Sequence, residues 1–123
     1  MIGLKDLKLY QLAYSFEERI WNIVSTWNYF EKSTIGKQLA RSADSISANI
    51  CEGYGRYHYK ENKNFLFYAR GSLYETQNWI KKAVDRNLIE KKIYKELESD
   101  SIVIAKMLNA YIRSIGSKKT TNS

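Results

Sequence analysis

The chain has 123 residues, 44% of them hydrophobic, with 20 basic groups against 13 acidic ones for a net charge of +7. That length suits one domain with its own core, and the apolar content excludes wholesale disorder. Cys51 is the only cysteine, which excludes an intramolecular disulfide and a cysteine metal cluster within one chain.

Four segments carry helical periodicity in turn. Leu9, Ala13, Phe16, Ile20, Ile23 and Trp27 form the first stripe, in steps of four and three. Leu39, Ala43, Ile46, Ile50, Gly53 and Tyr57 form the second. Leu66, Ala69, Leu73, Thr76, Ile80 and Ala83 form the third, and Leu97, Ser101, Ile104, Leu108, Tyr111 and Ile115 the fourth. Such steps keep residues on one helix face; a strand would alternate by two. Breaks are predicted around Asn28–Thr34, where Ser33 or Thr34 suits a helix start, around Arg56–Glu61 after Gly53 and Gly55, and at Asn87–Glu90, where Asn87 suits a left-handed helix end. The absence of proline agrees with long helices and short turns. The reading is all-α, an antiparallel up-down-up-down four-helix bundle over residues 1–116, with a disordered polar tail at 117–123.

The second helix bears a polar stripe beside its apolar one: Arg41, Ser45, Asn49, Glu52 and Arg56, with small residues between. A polar stripe near a core must be hydrogen-bonded if buried. Glu75 is a candidate partner for Arg41 or Arg56, with Ser72 one turn away. Arg41, Ser45, Asn49, Glu52, Ser72 and Glu75 therefore read as an internal network that fixes helix register, or else as a site for a partner subunit or an RNA phosphate. Cys51, beside the apolar stripe, reads as a buried structural thiol.

Two basic clusters bear on polyanion binding. At the second-to-third turn, Arg56, Tyr57, His58, Tyr59, Lys60 and Lys63 interleave rings and cations, a pattern that can stack on bases and hold phosphates; the same tyrosines could plug the bundle end. At the third-to-fourth turn, Lys81, Lys82, Arg86, Lys91, Lys92 and Lys95 gather, diluted by Asp85, Glu90, Glu96 and Glu98. Tyr10, Tyr14, Trp21, Tyr29, Tyr68, Tyr74 and Trp79 lie off or beside the core stripes, more ring surface than one bundle buries, which points to subunit contacts.

Little suggests catalysis. His58 is the only histidine, so neither a usual zinc set nor a nucleophile with its base is present. No cofactor or metal is expected. The charged first twenty residues do not suit a secretory signal, and no apolar run reaches membrane-spanning length. A cytoplasmic protein without membrane contact is expected.

The run Ser45-Ile-Ser-Ala-Asn-Ile-Cys-Glu-Gly-Tyr-Gly-Arg56 resembles the signature of bacterial four-helix bundle proteins encoded in intervening sequences of 23S ribosomal RNA genes. Leu4–Ala13, Phe65–Glu75 and Asp85–Ile89 resemble that family's first helix, third-helix motif and last turn. Three positions depart from its pattern: Ser47 stands where proline is usual, Cys51 where alanine is frequent, and Asn87 where glycine is frequent. Loss of the proline implies a locally straighter second helix. The resemblance implies a homo-oligomeric ring, a pentamer being favoured, and extends to the accessory protein of diversity-generating retroelements, which binds nucleic acid and a reverse transcriptase. The expected function is a non-catalytic homo-oligomer that binds nucleic acid, RNA before DNA. The alternative is an assembly adaptor for an enzyme partner such as a reverse transcriptase.

Overall fold

A computed structural model describes residues 3–56 and 59–115, apart from the side chain of Tyr59. A short turn at Leu4–Asp6 leads into α1 (Lys8–Val24). The chain re-enters helix at Tyr29–Glu31, widens into a π turn at Lys32–Gly36 and continues as α2 (Lys37–Tyr54). α3 spans Tyr59–Asp85 and α4 spans Lys91–Ser114. No strand occurs among the described residues. The tail at 117–123, and Tyr57 and His58, lie outside them.

The apolar stripes explain the assembly. Leu9, Ala13, Phe16 and Ile20 of α1 are buried together with Leu39, Ala43, Ile46 and Ile50 of α2. All six residues of the α3 stripe are buried, as are Leu97, Ser101, Ile104 and Leu108 of α4. Hydrophobic removal from water, about 25 cal/mol per Å² of apolar surface, holds the rods together. α2 packs on α1 and α3, and α4 packs on α3 and α1. The contacts run in opposite directions along neighbours. Ser45 meets Ser72 while Ser42 meets Thr76. Likewise Gln77 meets Ser101 while Arg70 meets Asn109. Adjacent helices are therefore antiparallel across both α2–α3 and α3–α4. At Gly53 an added Cβ would lie 2.8 Å from Asn62 Oδ1 and 3.0 Å from the Asn62 carbonyl oxygen. Only a glycine permits that approach of α3 to the end of α2.

The turns differ in how well the sequence foretells them. Asn87 has φ 60°, and the Leu88 N–H donates to the Ala83 carbonyl at 2.8 Å while the Asn87 N–H donates to Val84 at 3.1 Å. Those two bonds form the Schellman ending that an asparagine in the left-handed region allows. The first break is shorter than predicted. Ser33 and Thr34 do not start a helix; their hydroxyls donate back to the Phe30 carbonyl at 3.1 and 2.7 Å. Helical backbone already surrounds them, so no free N–H is left there for them to accept from.

Candidate functional site

The polar stripe of α2 divides on folding. Ser45 accepts from Asn49 Nδ2 at 3.0 Å and from the Ser72 hydroxyl at 2.9 Å. One turn back, the Thr76 hydroxyl lies 2.9 Å from Ser42 Oγ and 2.7 Å from the Ser72 carbonyl. Ser45, Asn49 and Ser72 thus join an internal network of neutral groups across α2–α3, which Ser42 and Thr76 extend. Arg41, Glu52 and Glu75 stand outside it and are exposed. Glu75 accepts the Trp79 indole N–H at 3.0 Å, and Arg56 pairs with Glu52 at 3.1 Å. Neither predicted arginine partnership with Glu75 forms: each charged side chain finds solvent or an i,i+4 neighbour on its own helix, a position cheaper than burial. Cys51 is also exposed; it lies one residue past Ile50, which turns it by about 100° off the buried stripe.

Sequence reasoning missed Glu17. It falls between Ala13 and Ile20 at steps of four and three, so the α1 stripe itself carries it inward, and it is buried. The Ser47 backbone N–H donates to Glu17 Oε2 at 2.7 Å and the Ser47 hydroxyl to Oε1 at 2.6 Å. No cation pairs with Glu17 among the described residues. Burial pushes its carboxyl up to about 8 against the lowering effect of both Ser47 bonds, and the nearby Asp44 and Glu18 carboxylates add to the rise. Glu17 is a pin between α1 and α2 that rests on Ser47.

The basic groups fall at opposite ends of the bundle. At the α2–α3 end, Arg56 is bound to Glu52 and its guanidinium lies 4.7 Å over the Phe65 ring. Lys60 is exposed and Lys63 half-buried. The other end is formed by the α1–α2 and α3–α4 turns. There Lys81 pairs with Asp85 at 2.7 Å, and Lys82 lies 5.3 Å over the Trp79 ring. Arg86, Lys91 and Lys92 are exposed. A groove of about 410 Å³ opens beside Arg86, which lines it with Lys37, Gln38, Arg41 and Trp79 among others. On the far side of Lys37 and Arg41 lies a second groove of about 440 Å³, walled by Trp21, Val24 and Ala40 and flanked by Lys32. Lys32, Lys37, Arg41 and Arg86 have no acidic partner among the described residues.

A family model described as the 23S rRNA-intervening sequence protein matches residues 5–110. The chain belongs to that family. A solved structure from the S23 ribosomal protein family, a protein with unknown function from Bacteroides thetaiotaomicron VPI-5482, is similar at 26% identity and a TM-score of 0.78. The similarity covers 86% of this chain and 99% of that one. No curated protein matches.

For this 23S rRNA-intervening sequence protein, the signature run does structural work in α2. Ser45, itself held by Asn49, ties α2 to Ser72 of α3, Ser47 donates twice to Glu17, and Gly53 admits Asn62. No cluster of three or more potential metal-ligating His, Cys, Asp or Glu side chains is found among the described residues. None of their helices is long and apolar enough to cross a membrane.

Proposed function

We propose that this 23S rRNA-intervening sequence protein is a non-catalytic, homo-oligomeric, cytoplasmic bundle that binds nucleic acid, RNA in preference to DNA. The observation that carries the reading is the end formed by the α1–α2 and α3–α4 turns, where four cations lack acidic partners among the described residues while the whole chain carries +7. Unpaired lysine and arginine side chains at one end concentrate positive potential, and such potential recruits phosphates. Lys32, Lys37, Arg41 and Arg86, with exposed Lys91 and Lys92 at the same end, carry more of this role than Arg56, whose charge is already engaged by Glu52. Exposed, unbridged Cys51 suits a reducing compartment.

Oligomerisation draws support from exposed rings. Tyr29 and Phe30 are 85% and 71% exposed, and Tyr14, Trp21, Tyr68 and Tyr74 each show about half their surface or more. Aromatic surface of this extent is characteristic of subunit contacts. The family resemblance favours five subunits, and a ring repeats each weak phosphate contact, which raises overall avidity. The same rings favour the second reading, an adaptor that docks an enzyme such as a reverse transcriptase without touching nucleic acid.

Binding to labelled RNA across a salt series, at a subunit number fixed by sedimentation, tests the proposal. The expected result is an affinity that falls steeply as salt rises, on a particle of several chains. A salt-independent affinity, or none, together with retention of a defined enzyme partner after nuclease treatment, supports the adaptor instead.

A further inference from the structure

Lys37 and Arg41 sit one turn apart on α2 and so share a face. Arg86, just past the end of α3, lines the same groove of about 410 Å³ from the opposite side. The Trp79 indole forms part of the wall between them, and its N–H bond to Glu75 at 3.0 Å limits how the ring can turn. Two carboxylates of α3 are engaged on their own helix: Glu75 accepts from Trp79, and Asp85 accepts from Lys81. Three cations without acidic partners among the described residues, together with one oriented ring in a groove of about 410 Å³, form a chemical pair of functions. The cations suit a phosphate, with arginine able to hold two of its oxygens at once. Lys82 lies 5.3 Å over the Trp79 ring, and the part of the indole that lines the groove suits the face of a base.

We infer that this groove is the primary contact for single-stranded nucleic acid, with Lys37, Arg41 and Arg86 on the phosphate and Trp79 beside an unpaired base. The inference rests on the nucleic-acid reading above and adds the place and the strand state. A duplex keeps its base faces stacked internally and offers an indole nothing to lie against, whereas an unpaired base does. Lys37, Arg41 and Arg86 are all exposed, so they are available to a strand and can be replaced without opening the core.

The experiment measures anisotropy of a labelled single-stranded RNA oligomer, and of the duplex made by annealing its complement, across a salt series. The proteins are the full chain, a Lys37→Ala/Arg41→Ala/Arg86→Ala variant, a Lys60→Ala/Lys63→Ala variant of the opposite end, and Trp79→Leu beside Trp79→Phe. Circular dichroism checks that each remains helical. The groove variant should lose about tenfold or more in affinity for the single strand, with a salt slope shallower by about two to three. The opposite-end variant should stay near the parent. Trp79→Leu should erase the preference for single strand over duplex, and Trp79→Phe, which keeps a ring, should retain it. If the parent binds but the groove variant binds equally well, the groove assignment is overturned while nucleic-acid binding stands. If the parent binds neither probe in a salt-dependent way, both are overturned.

Discussion

The two ends of the bundle treat positive charge in opposite ways. At the α2–α3 end, Arg56 is neutralised by Glu52 and laid on Phe65, and Gly53 lets Asn62 close over the helix junction. At the other end, Lys32, Lys37, Arg41 and Arg86 stay without acidic partners among the described residues, around two open grooves. Between the ends, Glu17 shows a third solution: a buried acid with no cation among the described residues, held by Ser47, its carboxyl pushed up to about 8 by burial. The lesson is that a count of basic residues does not locate a polyanion site. What matters is which charges the fold leaves uncommitted.

The largest expected effect tests the middle. Burial in the folded chain pushes the Glu17 carboxyl from its ordinary 4.5 up to about 8. Between those values the folded chain keeps a proton that the unfolded chain has lost. This contribution is therefore fully present below about pH 4.5 and declines as pH rises to 8, by up to about 1.4 kcal/mol per pH unit. Urea unfolding at a series of pH values should show that decline, and Glu17→Gln should flatten it. An unchanged pH profile in the variant would mean that Glu17 is not the group responsible.

Next comes the closed end. Gly53→Val places carbon within about van der Waals limits of the Asn62 backbone and should cost roughly 1–3 kcal/mol by overpacking. Gly71 supplies the contrast on α3: an added Cβ there meets nothing within 4 Å. Gly71→Ala should raise stability by about 1 kcal/mol through helix propensity. Thermal melts of the two variants moving in opposite directions would confirm that packing requires the glycine at 53 and not the one at 71.

The smallest effect is that of Arg56→Ala. Its pair with Glu52 is largely exposed, with side-chain exposures of 41% and 58%, so the ion pair and the ring contact together should be worth under about 1 kcal/mol. RNA affinity should stay within about twofold of the parent, one phosphate contact at most being at stake. A large loss of binding would return weight to the α2–α3 end and break the comparison.

Much of the architecture was legible because burial imposes a period. The α3 stripe from Leu66 to Ala83 is wholly buried as spaced, and Asn87 ends its helix in the left-handed region as its side chain allows. What the spacing could not disclose was how polar side chains commit themselves. Arg41 stands at the same pitch as Ser45 and Asn49, yet only the short side chains stay in the interface; the long one reaches solvent. Glu17 had a readable signal, its place in the α1 stripe, that its charge argued against. Its partner Ser47 lies thirty residues away, a pairing that one-dimensional periodicity does not encode. The groove was divided between two segments far apart in sequence, with Lys37 and Arg41 at the start of α2 and Trp79 and Arg86 near the end of α3, so no local motif announced it.

The most direct measurement is a proton–nitrogen correlation spectrum of the labelled protein titrated with a single-stranded RNA oligomer. The account predicts that the Trp79 indole N–H signal and the amides of Lys37, Arg41 and Arg86 shift together and saturably, while those of Glu52 and Arg56 hold their positions. Shifts confined to Glu52, Arg56 and Lys60, with Trp79 unmoved, would contradict it.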